Sequence, residues 1–233
     1  MAIHWAVYKL GSLSPTEGLM ISKFGWMAVF TVVISGLGLS LAVRSATAKE
    51  KYPGPRYHVL TELGRDVEIR QYERSLIAQV EVQGDQNTAL NEGFRILAGY
   101  IFGKNTARQS TTLTSTMVAQ PEKIAMTSPV TAYAAADKTT VSFFMPAEYS
   151  QETLPQPQDK RIRFVQLPER KLAALRFSGS WNAQSFAKHS EDLIKRLRLN
   201  KIEYSGKPDY AYYNPPFTPP FMRRNEILIS LSD

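Results

Sequence analysis

The chain has no cysteine among its 233 residues. That absence excludes disulfides, thiolate metal sites, a thiol nucleophile, a lipidated cysteine and a thioether-linked cofactor, though it identifies no compartment. Histidine is almost as scarce: His4, His58 and His189 are the whole supply. No GxSxG, HExxH or P-loop spacing occurs, so no catalytic constellation is legible. Positive charge is in excess but not concentrated. The net charge is +7, of which Lys9, Lys23 and Arg44 against Glu17 place +2 in the first 48 residues. No block of like charge is dense enough to read as a nucleic-acid surface. A spread excess of this size points instead to an anionic ligand or an anionic membrane surface.

Charge is missing altogether from Phe24 to Val43, which reads FGWMAVFTVVISGLGLSLAV. Twenty helical residues span about 30 Å, enough for a bilayer. The sequence therefore predicts four parts: a leader over 1–23, a transmembrane anchor or signal h-region over 24–43, a linker over 44–57 and a domain over 58–233. Two membrane readings stand. Ala46-Thr47-Ala48 has the small-x-small form of a cleavage site, and Met20 offers an alternative start, which would suit an exported protein. The apolar run is longer than a usual h-region, which favours a retained single-pass anchor. Arg44, Lys49, Lys51 and Arg56 outnumber Lys9 and Lys23, so the positive-inside rule leans toward a cytoplasmic C-terminal domain.

The remaining sequence says nearly the same thing twice. Tyr72-Glu73-Arg74-Ser75-Leu76-Ile77-Ala78 is answered by Pro168-Glu169-Arg170-Lys171-Leu172-Ala173-Ala174. Each run reaches a glycine (Gly84, Gly179) and then an asparagine (Asn87, Asn182) before a helix-like stretch. The offset slips by one residue between these landmarks, as a bulge allows. Two copies are too few for a solenoid and suggest two half-domains on one core.

Alternation predicts strands over 67–72 and 76–82. Asp85 or Asn87 can cap the next helix, whose stripe is Leu90, Phe94, Leu97 and Ile101, widened by Ala98. Asn105 to Gln120 reads as a polar loop. Ile124 to Ala134 reads as a strand broken at Pro129, and Thr139 to Met145 as another. Pro146 to Asp159 connects the halves. Strands over 161–165, 172–177 and 225–231 and a helix over 183–199 follow. Before the last strand, Tyr210 to Phe221 packs four prolines among five aromatics. The predicted class is α+β: duplicated ββαββ halves forming an antiparallel sheet flanked by two helices.

Three motifs now become recognisable. Val67-Glu68-Ile69-Arg70-Gln71-Tyr72-Glu73, Lys123-Ile124-Ala125-Met126-Thr127-Ser128-Pro129-Val130, and Tyr213-Asn214-Pro215-Pro216 through Arg223-Arg224-Asn225-Glu226-Ile227 resemble, in order, the SOUL haem-binding protein family. The resemblance covers about residues 55–231. It implies a distorted antiparallel β-barrel flanked by two helices, built from a duplicated half. It also implies haem or another tetrapyrrole as ligand, bound in a shallow, mostly apolar site on the outer side of the first helix, with basic residues meeting the propionates.

Carried onto this chain, that site is Phe94, Leu97, Ala98 and Ile101 with Arg95 and Lys104. The same stripe would serve as a core face. His189 is the candidate iron ligand, though a lone histidine on the border of an apolar helix face is more often structural. Met126, Thr127 and Pro129 read as structural. The expected function is non-enzymatic tetrapyrrole binding by a membrane-tethered protein, for buffering, transport or sequestration. The alternative is a protein-interaction module on the same scaffold, in which the Pro-aromatic segment meets a partner as polyproline II.

Overall fold

The computed structural model of the chain describes residues 52–107, 120–135 and 137–232. The expected membrane segment over 24–43 and most of the polar loop over 105–120 lie outside the described residues. Among those described, no helix is long and apolar enough to cross a membrane. The chain divides at Lys49, and all that follows belongs to the unit Glu50–Asp233.

Two strands open the unit, β1 (Tyr57–Glu62) and β2 (Val67–Tyr72), followed by β3 (Ser75–Gln83), the helix α1 (Gln86–Ile101) and the short β4 (Asn105–Thr106). Then come β5 (Val130–Ala135), β6 (Lys138–Phe144), the short β7 (Gln156–Pro157), β8 (Arg163–Leu167) and β9 (Arg170–Phe177). The helix α2 (Ala183–Leu199), β10 (Tyr204–Tyr212), a 3-10 turn (Pro220–Met222) and β11 (Asn225–Leu231) complete it. Nine strands form one antiparallel sheet in the order β1-β2-β9-β11-β10-β5-β6-β3-β8.

That order carries the duplication. From its middle, β10, β11, β9 and β2 run one way and β5, β6, β3 and β8 the other. The halves are interlocked: β2 pairs with β9 and β3 with β8, so each half lends its first strand to the other. The seam is the pairing of β10 with β5, from Tyr210 opposite Ala132 to Tyr212 opposite Val130. The expectation of a distorted barrel holds in a coarser form. The sheet curls as a half-barrel, and among the described residues its edges β1 and β8 do not pair with each other.

The two helices pack on the curled sheet, α1 against β3 and β6 and α2 against β9 and β11. Between helices and sheet lies the core, with Val67, Val80, Leu97, Val141, Ala173, Phe186, Leu193, Leu197 and Ile227 fully buried. Every described strand, both described helices and this core fall within the compact unit Glu50–Asp233, which is of a size to fold by itself.

Two local expectations change. The strand expected over Ile124–Ala134 starts only at Val130. The Ser128–Pro129 peptide is cis, and the proline has no ladder donor to extend pairing backward. Thr127 is instead fixed through its hydroxyl, which donates to the Phe144 carbonyl at 2.6 Å. The asparagine match at 87 and 182 is not an equivalence of caps. Asp85 caps α1, accepting from the Asn87 and Thr88 amides at 3.0 and 3.1 Å, whereas Asn182 itself caps α2, accepting from the Ser185 amide at 2.7 Å.

Candidate functional site

The site is best built from α1. Its inward stripe recurs every three to four residues and lies flat on the sheet. Leu97, Ile101 and Ala98 are 0, 1 and 9 % exposed. Phe94 is half-buried and packs edge-on against Phe143, ring centroids 5.4 Å apart. Gly93 lets the helix come close: a β-carbon there would stand 2.6 Å from Val141 Cγ2. These apolar residues therefore face the sheet, with Leu97 and Ile101 wholly inside the core.

Arg95, on the flank of the same helix, and Lys104, just beyond its end, are exposed instead. There the structure forms a cleft of about 420 Å3, walled by α1 through Arg95, Ile96 and Tyr100, by Lys104, and by Gln158 to Ile162. The opposing wall is the end of the connection between the halves and the start of the strand expected over 161–165, which begins only at Arg163. It is tied firmly to the end of α1. The Asn105 side-chain amide donates to the Tyr100 and Glu122 carbonyls, each at 2.7 Å. The Gln158 amide donates to the Lys104 carbonyl at 3.1 Å, and β4 pairs with β7. Tyr100 closes the floor: its hydroxyl donates to the Pro155 carbonyl at 3.0 Å, and its ring meets Phe164 at 5.5 Å.

The cleft is strongly cationic. Arg95, Lys104, Lys160 and Arg161 line it against a single lining carboxylate, Asp159. Asp159 is already engaged, accepting from Arg161 Nη2 at 2.8 Å and Nε at 3.1 Å. That hydrogen-bonded pairing holds its carboxyl below the ordinary value, so it stays charged. Arg161 also reaches Glu92 at 3.2 Å. Arg95, Lys104 and Lys160 make no ion pair among the described residues, and the Lys104 stem lies along Gly99. Three cations without an ion pair at one mouth can attract carboxylates. Apolar surface is thin there, because Ile96, Tyr100 and Ile162 are 7, 1 and 6 % exposed. The donor set thus fits the carboxylate edge of a tetrapyrrole better than its flat face.

The duplication supplies an internal comparison. Leu90, Leu97 and Ile101 of α1 answer Phe186, Leu193 and Leu197 of α2, which sets Tyr100 against Arg196. Arg196 bridges to Asp66, beside the start of β2, at 2.5 and 3.1 Å. The matching gap beside α1 is spanned by the Arg161–Glu92 pair at 3.2 Å and still holds the open cleft.

His189 sits on α2, over the other half of the sheet from Arg95 and Lys104. Its Nδ1 lies 2.7 Å from the Ser185 carbonyl of its own helix, and its ring stacks on Phe177 at 3.9 Å and 13°. Among the described residues no group of three histidine, cysteine or acidic side chains is placed to hold a metal ion. The structure thus brings together Arg95 and Lys104, adds Lys160 and Arg161, and sets His189 apart. The run Lys160-Arg161 next to Arg163 was the one sequence signal for the missed wall.

Among solved structures, the fold is similar to that of a hydrolase from Listeria innocua, at 11 % identity and TM-score 0.50, covering 72 % of this chain and 92 % of that one. It is also similar to the C-terminal domain of EcmrR, at 11 % identity and TM-score 0.50, covering 76 % of this chain and 98 % of that one. At such identities the likeness concerns the fold alone. A search of curated protein sequences finds no match. Residues 52–230 match the model of the SOUL heme-binding protein family, and the chain belongs to that family.

Proposed function

We propose that this protein binds haem or a related tetrapyrrole without transforming it, at the cleft beside α1. Arg95, Lys104 and Lys160 would meet the propionates, with Arg161 held in reserve by Asp159. The observation that carries this reading is a cationic cleft, on the helix the family uses, whose one lining carboxylate is already paired. Family membership supports binding over catalysis. The bound group would supply the tetrapyrrole chemistry, and the chain's own residues would hold and orient its carboxylates. Tethering through residues 24–43, with buffering, transport or sequestration at a membrane, belongs to the same proposal.

Among the described residues no histidine lines this cleft, so His189 would ligate iron only in a haem seated against α2 instead. The test is a titration of hemin into the unit Glu50–Asp233 at rising ionic strength, followed by absorbance. A saturable one-to-one band shift that weakens with salt supports propionate pairing, because exposed ion pairs are screened over about 8–10 Å at ordinary salt. A spectrum matching hemin with an unrelated basic protein would remove the reading.

A further inference from the structure

A second groove opens on the other half of the sheet. It has a volume of about 440 Å3 and is walled by Arg65 and Asp66 between β1 and β2, by the end of β9 from Arg176 to Ser178, and by Phe221 to Arg224. Its one carboxylate, Asp66, is committed to Arg196. Arg65 and Arg176 are exposed and make no ion pair among the described residues.

The Pro-aromatic segment forms one side of this groove, and its backbone is fixed from within. The Thr218 amide donates to the Pro215 carbonyl at 3.0 Å and the Gly179 amide to the Pro220 carbonyl at 3.0 Å. Arg223 reaches back to the Thr218 and Pro216 carbonyls, each at 2.7 Å, and its guanidinium lies 4.4 Å over the Trp181 ring. None of these ties uses the large apolar side chains. Phe217, Phe221 and Met222 are 87, 78 and 64 % exposed. Their burial in an apolar layer would be favourable. Single exposed apolar residues are ordinary, but three on one rigid loop beside unpaired arginines form a patch that marks an interaction site.

We propose that this loop docks the domain on an anionic phospholipid surface. Phe217, Phe221 and Met222 enter the boundary between headgroups and acyl chains, while Arg65 and Arg176 meet the lipid anions. Exposed apolar tips beside unpaired cations suit a soft, negatively charged layer. Docking through this loop needs neither a bound tetrapyrrole nor residues 24–43.

The test is cosedimentation of the unit Glu50–Asp233 with phosphatidylcholine vesicles, with and without phosphatidylserine. The unit should partition onto the phosphatidylserine vesicles and less onto the neutral ones. The double variant Phe217→Ser/Phe221→Ser should bind at least about tenfold more weakly, given the apolar area withdrawn. Arg65→Glu/Arg176→Glu should lose the preference for phosphatidylserine, at more than about fivefold per arginine. All four positions are exposed, so the variants should melt as the parent does and still shift the hemin band. Partition of the phenylalanine variant equal to that of the parent overturns the proposal. So does failure of the parent to bind either vesicle, which would leave a protein as the occupant of the loop.

Discussion

Arg70 and Glu226, 156 residues apart in sequence, form a two-pronged ion pair at 2.7 and 3.0 Å on the outer face of the sheet. Both are buried, at 2 and 0 % exposure. Around them, Arg70 Nε donates to Glu68 at 2.6 Å and Nη1 to the Tyr72 hydroxyl at 3.0 Å. The Tyr213 hydroxyl and Arg224 each donate to Glu226 at 2.7 Å. Tyr57 covers Arg70 from β1, the guanidinium 4.5 Å from its ring. The first and last motifs that mark the family therefore meet at this network. A buried pair is worth little over an apolar replacement, but a buried charge left alone is costly.

Glu226→Gln should accordingly cost about 3–5 kcal/mol of unfolding free energy, because Arg70 and Arg224 lose their counter-charge. Arg70→Met/Glu226→Leu together should cost clearly less than the two single changes added. Denaturant midpoints of the three variants check this, and strict additivity would count against a coupled pair. The pH dependence has a fixed sign. Burial pushes the Glu226 carboxyl up, but the hydrogen bond and charge of Arg70 outweigh it and hold it below its ordinary 4.5. A carboxyl depressed by folding stabilises above its unfolded value and loses that contribution as pH falls through its folded value. The gap between parent and Glu226→Gln should therefore narrow on acidification below about pH 4.5.

Asp209 behaves in the opposite sense. It stands opposite Leu228 in the sheet, and burial raises its carboxyl to about 6 from an ordinary 3.8, against a lowering by Arg170. The folded protein holds this proton more tightly than the unfolded chain does. The cost of ionising it is absent below pH 4 and complete above pH 6. The full shift corresponds to about 3 kcal/mol, reduced to about 1–2 kcal/mol because the side chain keeps some solvent contact. Asp209→Asn should raise stability by that amount at pH 7–8 and by nothing near pH 4. Equal melting shifts at both pH values would contradict the assignment.

Gly93 tests how α1 sits on the sheet. A β-carbon there would meet Val141 Cγ2 and Cβ at 2.6 and 2.7 Å, and a β-branched side chain in a strand has little room to yield. Gly93→Ala should destabilise by about 1–3 kcal/mol through overpacking, despite the better helix propensity of alanine. A rise in melting temperature would show that the helix can lift off at no cost.

What the sequence showed follows from how local each signal is. The bounds of α2 and β11 fall where the sequence reading placed them, at 183–199 and 225–231, because the pattern of each lies within one element. The strand β10 was implied by the duplicated ββαββ pattern but not located. Gly206, Lys207 and Pro208 interrupt its alternation, and its pairing to β11 shifts register between Ser205 and Asp209. The α1 stripe was legible as a stripe but not by purpose, since a core face and a ligand face share the period of 3.6. Arg95 and Lys104 were found from the family's use of basic residues near this helix. Lys160 and Arg161 were not, because only the pairing of β4 with β7 folds the connecting segment back beside them. Interlocking of the two halves was equally invisible, since duplicated strands carry no mark of which copy they pair with.

The most direct measurement is a hemin titration of the unit Glu50–Asp233 against two variants, Arg95→Glu/Lys160→Glu and His189→Ala. The account predicts that charge reversal in the α1 cleft weakens the saturable band shift at least about tenfold, since two carboxylate contacts become repulsions. It predicts that His189→Ala binds as the parent does. Loss of the shift in His189→Ala, with the cleft variant unaffected, would contradict it and move the tetrapyrrole to α2.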